Sequence, residues 1–413
     1  MPLQDGNVLD DTRIQRTKET ITLLQDAGAK IVLLSHLGRP QGAASPALSL
    51  RIILPTVARV LETPVSFCPD LTSAGLSAAV KKLEPGAILL LENLRFHPGE
   101  EDDDPAFAGV LASLGDLYVN EAFSLSHRAH CSVHKLAKQL PAFAGLGFVK
   151  EINALDKALA APQRPIVGLV GGAKIASKIN VIAALLTKVD RLIIGGNMAH
   201  FFLQAQGKLL CKNVTDQPAS WVKMARDILD QDHENKIILP IDGVIDLPHA
   251  LDESNASNDL HQSYNNSFSD SSWESSHDLI PDPSSDLGRP DNFGEAAIRK
   301  LDEIRASDMV YDIGPASIAF FTAHLAAAKT ILWNGPFGKI ESPPFDQGSM
   351  AIAREIGRLS CAEAFSIAGG GETLSVITAA GVTADFSYTS TAGGAFLEWI
   401  EGKTLPGVEA LER

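Results

Sequence analysis

Two kinds of residue cluster recur at the ends of short apolar runs, and each kind offers its own chemistry. In the first third of the chain, "AKIVLLSH", "GAILLLENLRF" and "DLYVNEAF" lead into "SHLGRP" (Ser35 to Pro40), "ENLRFH" (Glu92 to His97) and "EAFSLSHRAHCSVHK" (Glu121 to Lys135). These supply His36, Arg39, Arg95, His97, His127, Arg128 and His130, while Arg13 falls just before or at the start of the first helix. A single arginine of this kind is ordinarily a solvated surface charge. Three successive strand ends carrying Arg or His in an acidic chain predict a concave basic pocket for a small, multiply charged anion. Guanidinium groups bind carboxylate or phosphate in bidentate fashion.

The remainder of the chain puts glycine at the same places. "GGAK" (Gly171 to Lys174), "GGNMA" (Gly195 to Ala199), "NGPFG" (Asn334 to Gly338) and "GGGET" (Gly369 to Thr373) offer backbone amides and few charges apart from Lys174 and Lys178. Any one of them taken alone reads more readily as turn chemistry. Four together point to close backbone approach by a nucleotide and its phosphates. "GLVGGAKI" (Gly168 to Ile175) falls short of a Walker A loop, because Ala173 and Ile175 replace its glycine and Ser/Thr. No dinucleotide fingerprint follows a strand, and no HRD or DFG set is present. A basic anion pocket in one half and a phosphate cradle in the other suggest phosphoryl transfer between two ligands brought together by domain closure.

The elements that must hold these groups are short strands alternating with helices. Unbroken apolar runs such as "RPIVGLVGG", "VDRLIIGGNM", "NKIILPIDGVI", "AKTILWNGP" and "AEAFSIAGGG" predict parallel strands buried on both faces. Intervening segments such as "DDTRIQRTKETITLLQDAG" have helical spacing with start and stop signals. The expectation is a doubly wound α/β chain whose sites lie beyond the carboxyl ends of its strands. A length of 413 residues predicts two domains. They are expected at 1–150 and 165–390, with "FVKEINALDKALAAPQRP" as a linking helix over 151–164 and a tail at 391–413. The Ser-, Asn- and Asp-rich stretch from Asp252 to Asn292 has no apolar period and is expected to be a disordered insertion.

Composition sets the outer bounds. A net charge of -15 argues against non-specific partnership with nucleic acid or an anionic membrane. The four cysteines, Cys68, Cys131, Cys211 and Cys361, form no CxxC pair, so buried thiols in a reducing compartment are expected. No run approaches the roughly 20 apolar residues of a membrane span, and the N-terminus reads as neither signal nor transit peptide, so cytoplasmic residence is expected.

The ordered set "SHLGRP", "LLENLRFH", "SHRAHCS", "GGAKIASKI", "DIGP", "LWNGPFG", "GGGET" and "FLEWIEGKTLPGVEAL" resembles the phosphoglycerate kinase family over nearly the whole chain. The resemblance implies two Rossmann-like domains with parallel sheets joined by a hinge helix, and a C-terminal tail packed on the N-terminal domain. It implies a monomer that transfers a phosphoryl group between ATP and 3-phosphoglycerate with Mg2+, in glycolysis and gluconeogenesis. The implied phosphoglycerate ligands are Arg13, His36, Leu37, Gly38, Arg39, Arg95 and Arg128. On the nucleotide side it implies Lys174, Lys178, Asn334, Glu341, Gly370, Gly371, Glu372 and Thr373. Arg13 and Lys178 would stabilise charge on the transferring group, and Glu372 would hold the metal. A substrate carboxylate is already ionised, so no general base is required.

The chain departs from the family pattern at several points. It opens at "MPLQDG", just past the usual first strand and its Asp and Asn ligands, and the expectation is a misassigned start. Glu372 replaces the family's Asp and, one methylene longer, is expected to reach the ion only if the loop withdraws or through a water. Asn197 and Ala392 each replace a glycine; Ala392 is expected to need an ordinary backbone conformation. The competing readings are a homologue that binds nucleotide or anions without turnover and a dehydrogenase on the same architecture.

Overall fold

The computed structural model describes residues 3–4, 7–173, 175–209, 211–246 and 296–412. The stretch from Asp252 to Asn292 and Lys174 lie outside the described residues. The chain divides into two compact units: one runs to Asn153 and regains the chain at Thr404, and the other runs from Ala154 to Lys403.

In the first unit, β1 (Leu3–Gln4) and β2 (Asn7–Val8) form a small antiparallel pair. Strands β3 (Ile31–Leu33), β4 (Val65–Cys68) and β5 (Ile88–Leu91) form a parallel sheet in the order β3-β5-β4. The run "ILLL" of β5 is buried throughout, as a central strand covered on both faces must be. One side packs Ile14, Ile21, Val57 and Val60 from the helices Thr12–Asp26 and Leu54–Leu61. A second cluster joins Leu89 and Leu91 to Leu76, Phe107 and Leu111. β6 (Tyr118–Asn120) and β7 (Ala142–Ala144) pair in parallel as a separate two-stranded sheet. The tail closes on this unit: Gly407 N–H donates to Ser126 O at 2.9 Å, with Val133 against it.

The second unit is built on a six-stranded parallel sheet. Its strands are β8 (Ile166–Val170), β9 (Arg191–Ile194), β10 (Ile237–Ile238), β14 (Thr330–Asn334), β15 (Phe365–Gly369) and β16 (Tyr388–Ser390), in the order β10-β9-β8-β14-β15-β16. Chain order runs outward in both directions from the β8–β14 pair, which makes that pair the topological switch point where such folds open a crevice. Register places Val170 beside Asn334 and Asn334 beside Gly369, so three glycine-rich strand ends emerge side by side.

An antiparallel sheet of β11 (Asp242–Asp246), β12 (Ala296–Lys300) and β13 (Val310–Ile313), ordered β12-β11-β13, departs from the all-parallel expectation. The run "NKIILPIDGVI" holds two strands, β10 and β11, because Pro240 cannot donate to a ladder and ends the first. The linking helix begins earlier than expected, spanning Leu146–Leu159, and the boundary between the units falls within it.

Candidate active site

In the first unit the basic residues converge from three loops and a helix start. Arg13 lies exposed in the first turn of Thr12–Asp26. The loop after β3 carries partly buried His36 and exposed Arg39. Two buried polar residues at the end of β5 hold that loop. Asn93 Nδ2 donates to Leu37 O (2.7 Å) and Leu48 O (2.9 Å), while Glu92 accepts Leu50 N–H (2.8 Å) and Ser49 Oγ–H (2.6 Å). Sequence reasoning passed over Glu92 and Asn93; two polar residues following four buried apolar ones were the available signal.

Arg95 is buried, donates from Nη1 to Gly38 O at 2.8 Å, and lies 3.1 Å from Glu101 Oε1 through Nε. Gly38 thus contributes a carbonyl that fixes Arg95. The Leu37 side chain belongs to the core, so only its backbone reaches the loop surface. His97 is diverted from the site: its ring stacks on Phe107 at 3.8 Å and its Nδ1 accepts Gly99 N–H. In the loop after β6, Arg128 Nε donates to His127 Nε2 at 3.2 Å, and buried His130 follows.

Electrostatics confirm that these groups crowd one another. Burial first, then the charges of Arg95, Arg128 and His127, push His130 down to about 4, against a smaller opposing pull from Asp103. His36 lies well below the ordinary range, through burial and then Arg95, His130 and Arg13. Both imidazoles are therefore neutral at pH 7. A multiply charged anion entering this field favours their charged forms. In an NMR titration His130 should show an inflection near 4 without ligand and move upward with a small, multiply charged anion; an unmoved inflection at saturating anion would place the anion elsewhere.

In the second unit the switch-point crevice is lined by backbone. Lys178, in the first turn of the helix Ile175–Lys188, is 5% exposed. Its Nζ donates to Gly171 O at 2.8 Å and to Asn334 O at 3.4 Å. Burial lowers its pKa to about 8, with Glu372 the opposing influence. Asn334 Nδ2 donates to Gly369 O (2.7 Å), and its buried Oδ1 has no hydrogen-bond partner among the described residues. Gly370 caps the helix Gly371–Ala379, whose first turn presents Glu372 among unsatisfied N–H groups. Thr373 is fully buried, and its Oγ accepts Gly335 N–H at 2.7 Å.

Glu341 stands exposed in the turn after Gly338. Asn197 is helical, and the left-handed position falls on Gly196 (φ 63°). Its Nδ2 reaches Ala173 O at 3.4 Å, while Oδ1 lies 3.2 Å from His200 Nδ1. Ala392 has φ -95°, so its backbone stays out of the left-handed region that favours glycine.

The geometry thus comprises a cationic pocket in one unit and, in the other, an amide-lined crevice with the buried Lys178 and the Glu372 carboxylate. A sequence model of the family Phosphoglycerate kinase matches residues 1–281 and 284–403. Phosphoglycerate kinase of Azorhizobium caulinodans is 42% identical over 416 residues, covering all of this chain and 94% of the relative; that of Bartonella quintana is 41% identical with the same coverage. Among solved structures, phosphoglycerate kinase from Coxiella burnetii superposes with a TM-score of 0.78 at 32% identity, and that from Pyrococcus horikoshii with 0.79 at 26%. Each of these comparisons covers all of this chain and 93% of the other.

Proposed function

This chain belongs to the phosphoglycerate kinase family, and on that premise we propose how its residues divide the work of phosphoryl transfer. The enzyme is a glycolytic phosphotransferase, and the reading without turnover finds no support. Its acceptor is the carboxylate of 3-phosphoglycerate and its donor is ATP, giving 1,3-bisphosphoglycerate and ADP. Arg13, Arg39, Arg95 and Arg128 hold the phosphoglycerate, with His36 and His130 taking up charge as it binds. The nucleotide phosphates lie against the strand ends at Gly171, Gly335 and Gly370, over the first turn of Gly371–Ala379. By family resemblance the proposal includes a cytoplasmic monomer; no described helix is long and apolar enough to cross a membrane.

The observation that carries this division is the position of Lys178. Its ammonium group is buried at the switch point, where a transferring phosphoryl group would develop charge. Phosphoryl transfer needs positioning and charge neutralisation rather than covalent chemistry from the protein. The acceptor oxygen is ionised already, so no group has to remove a proton. Arg13 and Lys178 supply the positive charge, and the amides at Gly370 and Gly371 add oriented dipoles. The direct test is ADP release from ATP with and without 3-phosphoglycerate; release that ignores the second substrate would refute the reading.

Magnesium, when bound with ATP, neutralises charge on the phosphates. Among the described residues no three His, Cys, Asp or Glu side chains form a metal cluster. A single carboxylate completed by substrate phosphates is an ordinary magnesium arrangement, and Glu372 fits that part. Glu372→Asp should keep or improve magnesium-dependent turnover, read as kcat across a magnesium titration. A marked loss would mean that the longer side chain is an adapted ligand.

A further inference from the structure

Glu121 opens the loop that carries His127, Arg128 and His130, and two separate segments meet at its carboxylate. One is the helix Thr12–Asp26, whose buried Thr20 donates its hydroxyl to Glu121 Oε1. Another is the start of the helix Leu146–Leu159, where Gly147 N–H donates to Oε1 at 3.2 Å and Phe148 N–H to Oε2 at 3.1 Å. Thr20 Oγ also accepts Leu146 N–H at 2.8 Å. Three successive amides that no helical turn can satisfy therefore end on one Thr–Glu pair. The fit is close: a Cβ at Gly145 would stand 2.2 Å from Oε1, and one at Gly147 2.7 Å from Oε2.

A helix cap alone needs no such arrangement. An Asp, Ser or Thr beside the helix start does that locally, whereas Glu121 lies 26 positions before Gly147 and 101 after Thr20. What the pair adds is a fixed relation between the helix that carries Arg13 in its first turn and the loop that carries Arg128. Helix Thr12–Asp26 is continuous from Arg13 to Thr20, so a shift at Thr20 carries to Arg13 through two turns of rigid helix.

We infer that Glu121, acting with Thr20, is a positioning residue for phosphoglycerate: it sets the spacing between Arg13 and Arg128. The inference rests on the reading of the basic pocket as the phosphoglycerate site. Displacement of a clamping group by an ångström costs on the order of a hundredfold in rate at the extreme. Loosening one link of the tie is expected to cost less.

The test compares KM for the two substrates in Glu121→Gln and Thr20→Val. Both changes nearly preserve shape, and each removes part of the tie. Each should raise KM for 3-phosphoglycerate about tenfold while leaving KM for ATP within about twofold. The double variant should be no worse than the worse single one, because both residues act through the same link. An unchanged KM for 3-phosphoglycerate in folded protein would reduce Glu121 to a helix cap and overturn the inference, as would equal increases for both substrates. Thr20→Val leaves the contacts of Glu121 with Gly147 and Phe148 in place, so it decides the matter if Glu121→Gln does not fold. A parent enzyme indifferent to 3-phosphoglycerate would instead refute the reading of the pocket.

Discussion

Lys178→Ala is expected to lower kcat about a thousandfold while the fold survives intact, the scale at which a single preorganised stabiliser of transition-state charge operates. The two halves of this expectation have different causes. In the proposed catalytic role, Lys178 is the cation held at the switch point by Gly171 O and Asn334 O, and alanine would leave developing phosphoryl charge without it. Structurally, the same ammonium group is a burden. Its pKa is pushed from 10.5 to about 8 chiefly by burial, which means the charged form is disfavoured in its own site.

Removing an uncomfortable buried charge does not unfold a protein, so the melting temperature should hold or rise. A collapse in melting temperature accompanying the loss of turnover would make Lys178 structural and sink the assignment. The same lysine sets a pH signature. In the free enzyme it loses its proton as pH passes about 8, so kcat/KM for ATP should fall above that pH. Lys178→Arg, whatever its absolute rate, should lack that alkaline fall, since guanidinium stays protonated.

The contrast between Lys178 and His97 shows what was legible in the sequence. Strands β8 and β14 could be read because every residue in each is buried, so sequence and environment agree at each position. Once those strands are placed, their glycine-rich ends have nowhere else to go. The order of the motifs could be read for the same reason. What a sequence does not print is the partner of each polar group. His97 ends a strand run just as His36 does, yet it stacks on Phe107 and serves the fold.

Arg95 could be marked as an anion ligand, but not the partners, Gly38 O and Glu101, that hold it. Nor could Glu92 and Asn93 be given their task, because the backbone groups they satisfy come from a loop over forty positions away. The antiparallel sheet was missed on other grounds. The half-exposed alternation of β12 shows only weakly in a strand of five residues, and its partner β11 is joined to a longer apolar run.

Gly335→Ala should damage both turnover and stability, and the geometry says why the two go together. Gly335 has φ 95°, a conformation that costs a residue bearing Cβ about 1–2 kcal/mol. The added carbon would also stand 2.3 Å from Gly171 O and 2.5 Å from Lys178 Nζ. The backbone cannot rotate away, because Gly335 N–H is committed to Thr373 Oγ at 2.7 Å and Gly335 O to Trp333 Nε1 at 2.9 Å. Relief must come from the lysine or from the β8–β14 junction, and either moves the ammonium group to which the proposal gives the catalytic charge.

A hundredfold loss in kcat is the expected order, as for a reacting group misplaced by about an ångström, together with a clear drop in melting temperature. Gly207→Ala separates strain from displacement: Gly207 has φ 71° and nothing within 4 Å of its Cβ direction. That variant should lose a little stability and keep its turnover. Adding Lys178→Ala to Gly335→Ala should bring kcat down only to the level of Lys178→Ala alone, about a further tenfold rather than a further thousandfold, since both changes act through the same group. Full multiplicative loss in the double variant would mean that Gly335 acts on the reaction independently of Lys178, and the crevice would need another account.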